Sequence, residues 1–177
     1  ISPNAVLGVS TYPINVASER QTGIQSQVDY RWRAGRFGDF VLGVSYYDAL
    51  THTDKEKEGD PTQDYLCCAN SNEFKSRVSG NLTWSLGSWS STIYGQRDGH
   101  MWNHTGTAKN LPPWIRWNGS TRYRFTPMAS ITFTANNIFS KRPPKDITNG
   151  DWPYFGVTNY DARGRELWVQ MNLDFGI

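Results

Sequence analysis

The side chains best suited to chemistry are few. His100 and His104 stand four apart in His-Met-Trp-Asn-His, the third histidine is His52, and Cys67 and Cys68 are adjacent. Two histidines four apart can share a metal ion when a helix sets them on one face. Here the segment reads as a loop, so no metal site is expected. Asp98 and His100 could be drawn as a dyad, but nothing separates them from ordinary polar residues at a strand end. There is no nucleophile elbow, no His-Glu-x-x-His and no glycine-rich phosphate loop. Catalytic residues, metals and cofactors are therefore all expected to be absent. The cysteine pair is neither a disulfide framework nor a Cys-x-x-Cys site. Two readings stay open for it: a chance pair of loop residues, or a vicinal disulfide formed in an oxidising compartment.

What remains is recognition. Trp102, Trp152, Tyr154 and Phe155, with His100 and His104, lie in long polar segments and are the candidate ligand contacts. The competing reading is that Trp152-Pro153-Tyr154-Phe155 only packs its loop against the rim of the fold.

The elements that position these loops are strands. Residues 167–177 alternate without a break: Leu167, Val169, Met171, Leu173, Phe175 and Ile177 are apolar, with Trp168, Gln170, Asn172, Asp174 and Gly176 between them. Period two marks a pleated strand with unlike faces. The same pattern recurs at 23–33, 40–50, 74–84, 89–98, 115–125 and 128–138, which makes seven strands with the terminal one at 165–177. Ile24, Val28, Tyr30 and Trp32 share a face in the first strand. Phe74, Val78, Leu82 and Trp84 do so in the third. Ile115, Trp117, Tyr123 and Phe125 do so in the fifth. The opposite faces carry Arg31, Arg77, Arg116, Arg122, Gln170 and Asn172 among other polar groups.

The connections alternate in length. Residues 34–39, 85–88 and 126–127 are tight turns, whereas 50–73, 99–114 and 139–164 are long and rich in Asp, Lys, Gly, Pro and Asn. Trp32, Phe37, Phe40, Trp84, Trp89, Tyr123, Phe125 and Phe175 gather at the short-turn end. A transmembrane β-barrel produces this combination: short periplasmic turns, long extracellular loops, an aromatic girdle and an apolar outer face. The charged faces would then line a hydrated interior, because a charge facing hydrocarbon at the midplane costs about 2–4 kcal/mol. The expected fold is all-β, an antiparallel up-and-down transmembrane barrel, with outer-membrane lipid as one partner.

Composition fits that reading. Mean hydropathy is −0.62, and no apolar run reaches the roughly 18 residues of a membrane helix. A barrel escapes both tests, since only alternate residues face lipid. Trp numbers 8 and Tyr 9, an aromatic load suited to membrane interfaces. The net charge of +2 is too small to imply a nucleic-acid partner. Two rivals remain. In one, residues 1–11 supply an eighth strand and complete a small barrel with a structural or adhesive role. In the other, the apolar faces turn inward as a soluble β-calyx that binds a ligand.

Thr134-Ala135-Asn136-Asn137-Ile138-Phe139-Ser140-Lys141-Arg142-Pro143-Pro144 resembles the end of the penultimate strand in TonB-dependent outer-membrane receptors. It is followed by a loop through Trp152 and Tyr160, then by Gly164-Arg165 opening the last strand. Upstream, Asn15-Val16-Ala17 and Gln21-Thr22-Gly23-Ile24-Gln25 resemble a strand start of the same barrels. The resemblance covers nearly the whole chain and implies a 22-stranded barrel of which these seven strands are the C-terminal part. It implies location in the outer membrane of a Gram-negative bacterium and energised uptake of a small solute such as an iron chelate (siderophore), cobalamin, carbohydrate or peptide. It also implies coupling to the TonB system through an N-terminal plug domain, for which these 177 residues hold no counterpart. Family members usually end on Phe or Trp, whereas this chain ends Phe175-Gly176-Ile177.

Overall fold

The computed structural model describes residues 18–68, 71, 73–107 and 110–175. In chain order the strands are β1 (Ser18–Arg33), β2 (Asp39–Lys55), β3 (Gln63–Asp64), β4 (Ser76–Leu86), β5 (Trp89–Asp98), β6 (Met101–Trp102), β7 (Asn110–Leu111), β8 (Trp114–Thr126), β9 (Ala129–Asn136) and β10 (Glu166–Leu173). The seven long strands stand where the alternation places them. They hydrogen-bond in the order β1, β2, β4, β5, β8, β9, β10, each antiparallel to the next, with β3 added beside β2. This is an up-and-down meander. Among the described residues β1 and β10 pair on one side only, so the sheet is an open arc.

Register keeps the two faces apart. One row runs Tyr30, Leu42, Leu82, Ile93, Gly119, Ala135, Leu167. A row on the other face, three residues along, runs Gln27, Ser45, Ser79, Gln96, Arg116. A slip of one residue would exchange the faces. The apolar face is largely uncovered by the described residues: Val28 is 61% exposed and Val169 69%. The polar face is laced by side-chain bonds between strands, including Ser45–Ser79 at 2.6 Å and Thr83–Thr92 at 2.8 Å.

The aromatics expected at the short-turn end form a belt. Trp32 stacks on Phe40 at 4.9 Å and on Tyr30 at 5.6 Å. Trp89 meets Tyr123 at 4.5 Å, and Tyr123 meets Phe125 at 5.1 Å. Trp84 donates its indole N–H to the carbonyl of Phe37 at 2.7 Å, tying the belt to the β1–β2 turn. That turn depends on Gly38, whose φ is 92° and where a Cβ would sit 2.3 Å from the Ser85 carbonyl; no other residue fits there.

The structure departs from the sequence expectation at particular places. The β1–β2 hairpin is longer: β2 has 17 residues, about 57 Å at the usual rise, where a membrane crossing needs roughly 9–11 residues. Its upper part stands clear of the span. Phe74 precedes β4 and is buried among loop residues, so it does not belong to the apolar face. The last strand is hydrogen-bonded only over Glu166–Leu173, although Asp174 still donates to the Met128 carbonyl at 2.8 Å. Ile177 and the proposed eighth strand at 1–11 lie outside the described residues.

Candidate ligand-facing site

The long loops do not hang free. Residues from all three converge above the polar face on one apolar cluster of Phe74, Met101, Leu111, Trp114 and Tyr160, with Phe155 against it. The polar-face register of β8 supplies Trp114, which pairs with Asp98. Tyr160 then packs edge-on against Trp114 at 5.5 Å and Phe74 at 5.3 Å. Met101 and Leu111 enter through the short ladder β6–β7, in which they pair. Burial of such aromatic and aliphatic groups is what holds a loop against a wall.

Beneath this cluster lies a charged network. Asp98, 2% exposed, ends β5 on the polar face. Its carboxylate meets Arg77 Nε at 3.3 Å and Arg116 Nη2 at 3.5 Å, and accepts from Gln96 at 3.1 Å. Arg116 lies over the Trp114 ring at 4.0 Å and reaches Asp161 at 3.9 Å. Asp161 takes a two-pronged bond from Arg163, both at 3.0 Å, and Arg163 also meets Glu166 at 3.6 Å. The Arg163 guanidinium holds the Asp161 carboxyl below the usual carboxylate range. Burial, then the charges of Asp98 and Asp146, push the Tyr160 phenol up to about 12, so it stays neutral. The network encloses a polar cavity of about 230 Å³ between β8, β9 and the last loop, lined by Arg116, Asn118, Asn136, Asp161, Arg163 and Glu166.

Asn137 fixes how the last loop leaves β9. It adopts φ 47°, a conformation Asn tolerates. Its side chain donates to the carbonyls of Lys141 and Arg163 and accepts from Lys141 N–H. Asp146 organises the next stretch: its carboxylate accepts from the backbone N–H of His104 at 2.7 Å and from Thr148. Burial acts to raise the Asp146 carboxyl, but these hydrogen bonds outweigh it and the net shift is downward.

The residues expected to contact ligand separate into groups. His100 and Trp102 share a second cavity of about 230 Å³ with Leu50, Leu66, Glu73 and Lys75. His104 is tied by its backbone to Asp146. Phe155 packs on Tyr160 at 6.3 Å, and Tyr154 receives Lys145 over its ring at 4.9 Å. Trp152 is 84% exposed. The six do not form one site. Arg31, Arg77, Arg116, Arg122, Gln170 and Asn172 all lie on the polar face by register. Gln170 donates to Asn172 at 2.8 Å.

From the sequence Asp98 was weighed only as a dyad partner of His100, and Asp161, Arg163, Tyr160 and Asn137 were given no role. The register carries a signal for Asp98 alone: it stands across from Arg77 in β4 and two residues out of step with Arg116 in β8. The others meet through loop folding that no local pattern encodes. Cys67 and Cys68 are joined to each other in the 56–73 loop. Nearby, His52 holds that loop to the hairpin, with Nδ1 at 2.8 Å from Glu73 and Nε2 at 2.9 Å from Glu19. Among the described residues no group of three or more His, Cys, Asp or Glu is placed to hold a metal ion.

Residues 1–138 match the family model described as TonB dependent receptor-like, beta-barrel. No curated protein and no solved structure matches the chain.

Proposed function

Because the chain belongs to the TonB-dependent receptor-like β-barrel family, whose members are transport receptors of the Gram-negative outer membrane, we propose that it forms the C-terminal part of a receptor for energised uptake of a scarce solute. Members of this family are transporters and not enzymes, and the outer membrane replaces the soluble calyx as the setting for the sheet. The apolar face meets hydrocarbon and the polar face, with Arg31, Arg77, Arg116, Arg122, Gln170 and Asn172, lines the lumen. The long loops stand outside the cell. A plug domain in the full receptor would occupy the lumen and pass energy from TonB.

The observation that carries this reading is the family match combined with loops folded over a charged polar face. A solute entering from outside would pass exposed Trp152 and then the guanidinium and carboxylate groups around the polar cavity. The solute classes that fit are iron chelates, cobalamin, carbohydrates and peptides, all large enough to need a dedicated receptor. Uptake by intact cells tests it. A strain lacking this receptor and a strain lacking TonB should both lose uptake of the same labelled solute, and Trp152→Ala should weaken its binding. Normal uptake of all four classes in the receptor-less strain contradicts the proposal.

A further inference from the structure

The apolar face carries a furrow. Glycines pair across it, Gly80 with Gly95, and the walls are Leu42, Val44, Leu82, Ile93 and Trp117, enclosing about 510 Å³. The Trp117 ring lies flat over Gly95: a Cβ there would sit 2.8 Å from it. A second furrow of about 380 Å³, shared through Leu82 and Ile93, continues toward Phe133 and Ala135. Both are lined almost wholly by carbon.

Two charged residues stand on this face beside the furrow: Asp48, which pairs with Ile24 in β1 and Ser76 in β4, and Arg97. Arg97 pairs with Val78 in β4 and Ile115 in β8, so its side chain leaves the sheet on the apolar side, and it borders the first furrow. Among the described residues it has no carboxylate within ion-pair distance. Its one bond is to Ser76 Oγ at 3.4 Å. From Trp89 in the girdle to Arg97 the strand climbs about 27 Å at ~3.4 Å per residue. Tilted by about 45°, that is roughly 19 Å of height within an apolar band about 25 Å tall. Arg97 therefore stands near the outer boundary, where its long side chain can reach the headgroup level and an Arg fork matches phosphate.

We infer that this wall holds a phosphate-bearing lipid of the outer leaflet, an acyl chain lying in the Gly80–Gly95 furrow and the phosphate on Arg97. The inference rests on the apolar face meeting lipid, but not on any solute being transported. The site fixes one lipid in place where the rest of the face is wetted by exchanging chains.

The test is native mass spectrometry of the full receptor extracted from outer membranes into mild detergent. The wild type should retain a phosphorylated lipid through delipidation. Arg97→Gln should retain about tenfold less, as expected for loss of a charge-assisted bond. Ile93→Trp, which fills the furrow, should also release it, and Val169→Ala on the distant wall should not. Heat-modifiable migration on gels confirms that each variant is folded in the membrane, which separates loss of the site from failure of the barrel reading. Retention unchanged in folded Arg97→Gln, or equal retention of the same lipid after its phosphates are removed, overturns the proposal.

Discussion

Asp98 is the residue on which the outer end of the polar face turns. A carboxylate this buried is tolerated because two guanidiniums and an amide meet it. Arg77 is 61% exposed and can return to water, whereas Arg116 is 22% exposed and cannot. Asp98→Asn removes the charge that holds both, at a cost of about 2 kcal/mol. Because Arg116 also braces Trp114, the loops above should loosen with it. Trypsin applied to intact cells should then cut after Lys141 or Arg163 faster than in the wild type; equal rates would mean the aromatic cluster alone secures the loops. His52 makes a second residue-scale prediction. Burial works to lower its pKa, but the hydrogen bonds and charges of Glu19 and Glu73 outweigh that, and the net shift is upward from 6.5. The folded value exceeds the unfolded one, so the stabilisation is complete below pH 6.5 and fades as pH rises through the folded value. Hydrogen exchange, corrected for intrinsic rate, should show residues 52–65 losing protection from pH 6 to pH 8.5. His52→Gln should flatten that dependence. Protection independent of pH in the wild type would remove the clamp from the account.

At the scale of elements, β10 gives the cleanest contrast between faces. Val169 pairs with Phe133 on the apolar side and Gln170 with Thr132 on the polar side. Arg at Val169 should impair folding into bilayers by about 2–4 kcal/mol near the midplane, while Arg at Gln170 should be nearly neutral. Urea titration of bilayer-folded protein measures both, and equal sensitivity would deny that the faces meet different solvents. The same alternation explains what could be read beforehand. Period two is local, so β1, β2, β4, β5, β8, β9 and β10 were visible in order and sidedness. The alternation also began two residues too early, at Phe74, because an apolar residue in step with a strand looks the same whether it meets lipid or a loop core. Trp114 belongs to the strand by hydrogen bonding and to the loop cluster by packing. Its partner Tyr160 lies far along the chain, and no spacing links them. Arg97 was passed over because a single charge within a strand carries no periodic signal.

For the whole molecule, the issue is what the open sheet joins. Unpaired backbone groups at the edges of β1 and β10 would cost several kcal/mol each in hydrocarbon. In the membrane those edges must therefore be paired, and further strands of a large barrel would pair them. Residues 18–175 expressed alone should oligomerise or aggregate through β1 and β10, and a heat-resistant monomer on gels would contradict this. The central claim is that the sheet is a wall with its long loops outside the cell and its short turns inside. Cysteine labelling with a membrane-impermeant maleimide tests it most directly, in the full receptor with Cys67→Ser and Cys68→Ser. Asn149→Cys, in the last long loop, should label on intact cells, and Pro127→Cys, in the β8–β9 turn, only after the outer membrane is opened. Labelling of Pro127→Cys but not Asn149→Cys on intact cells would contradict the account.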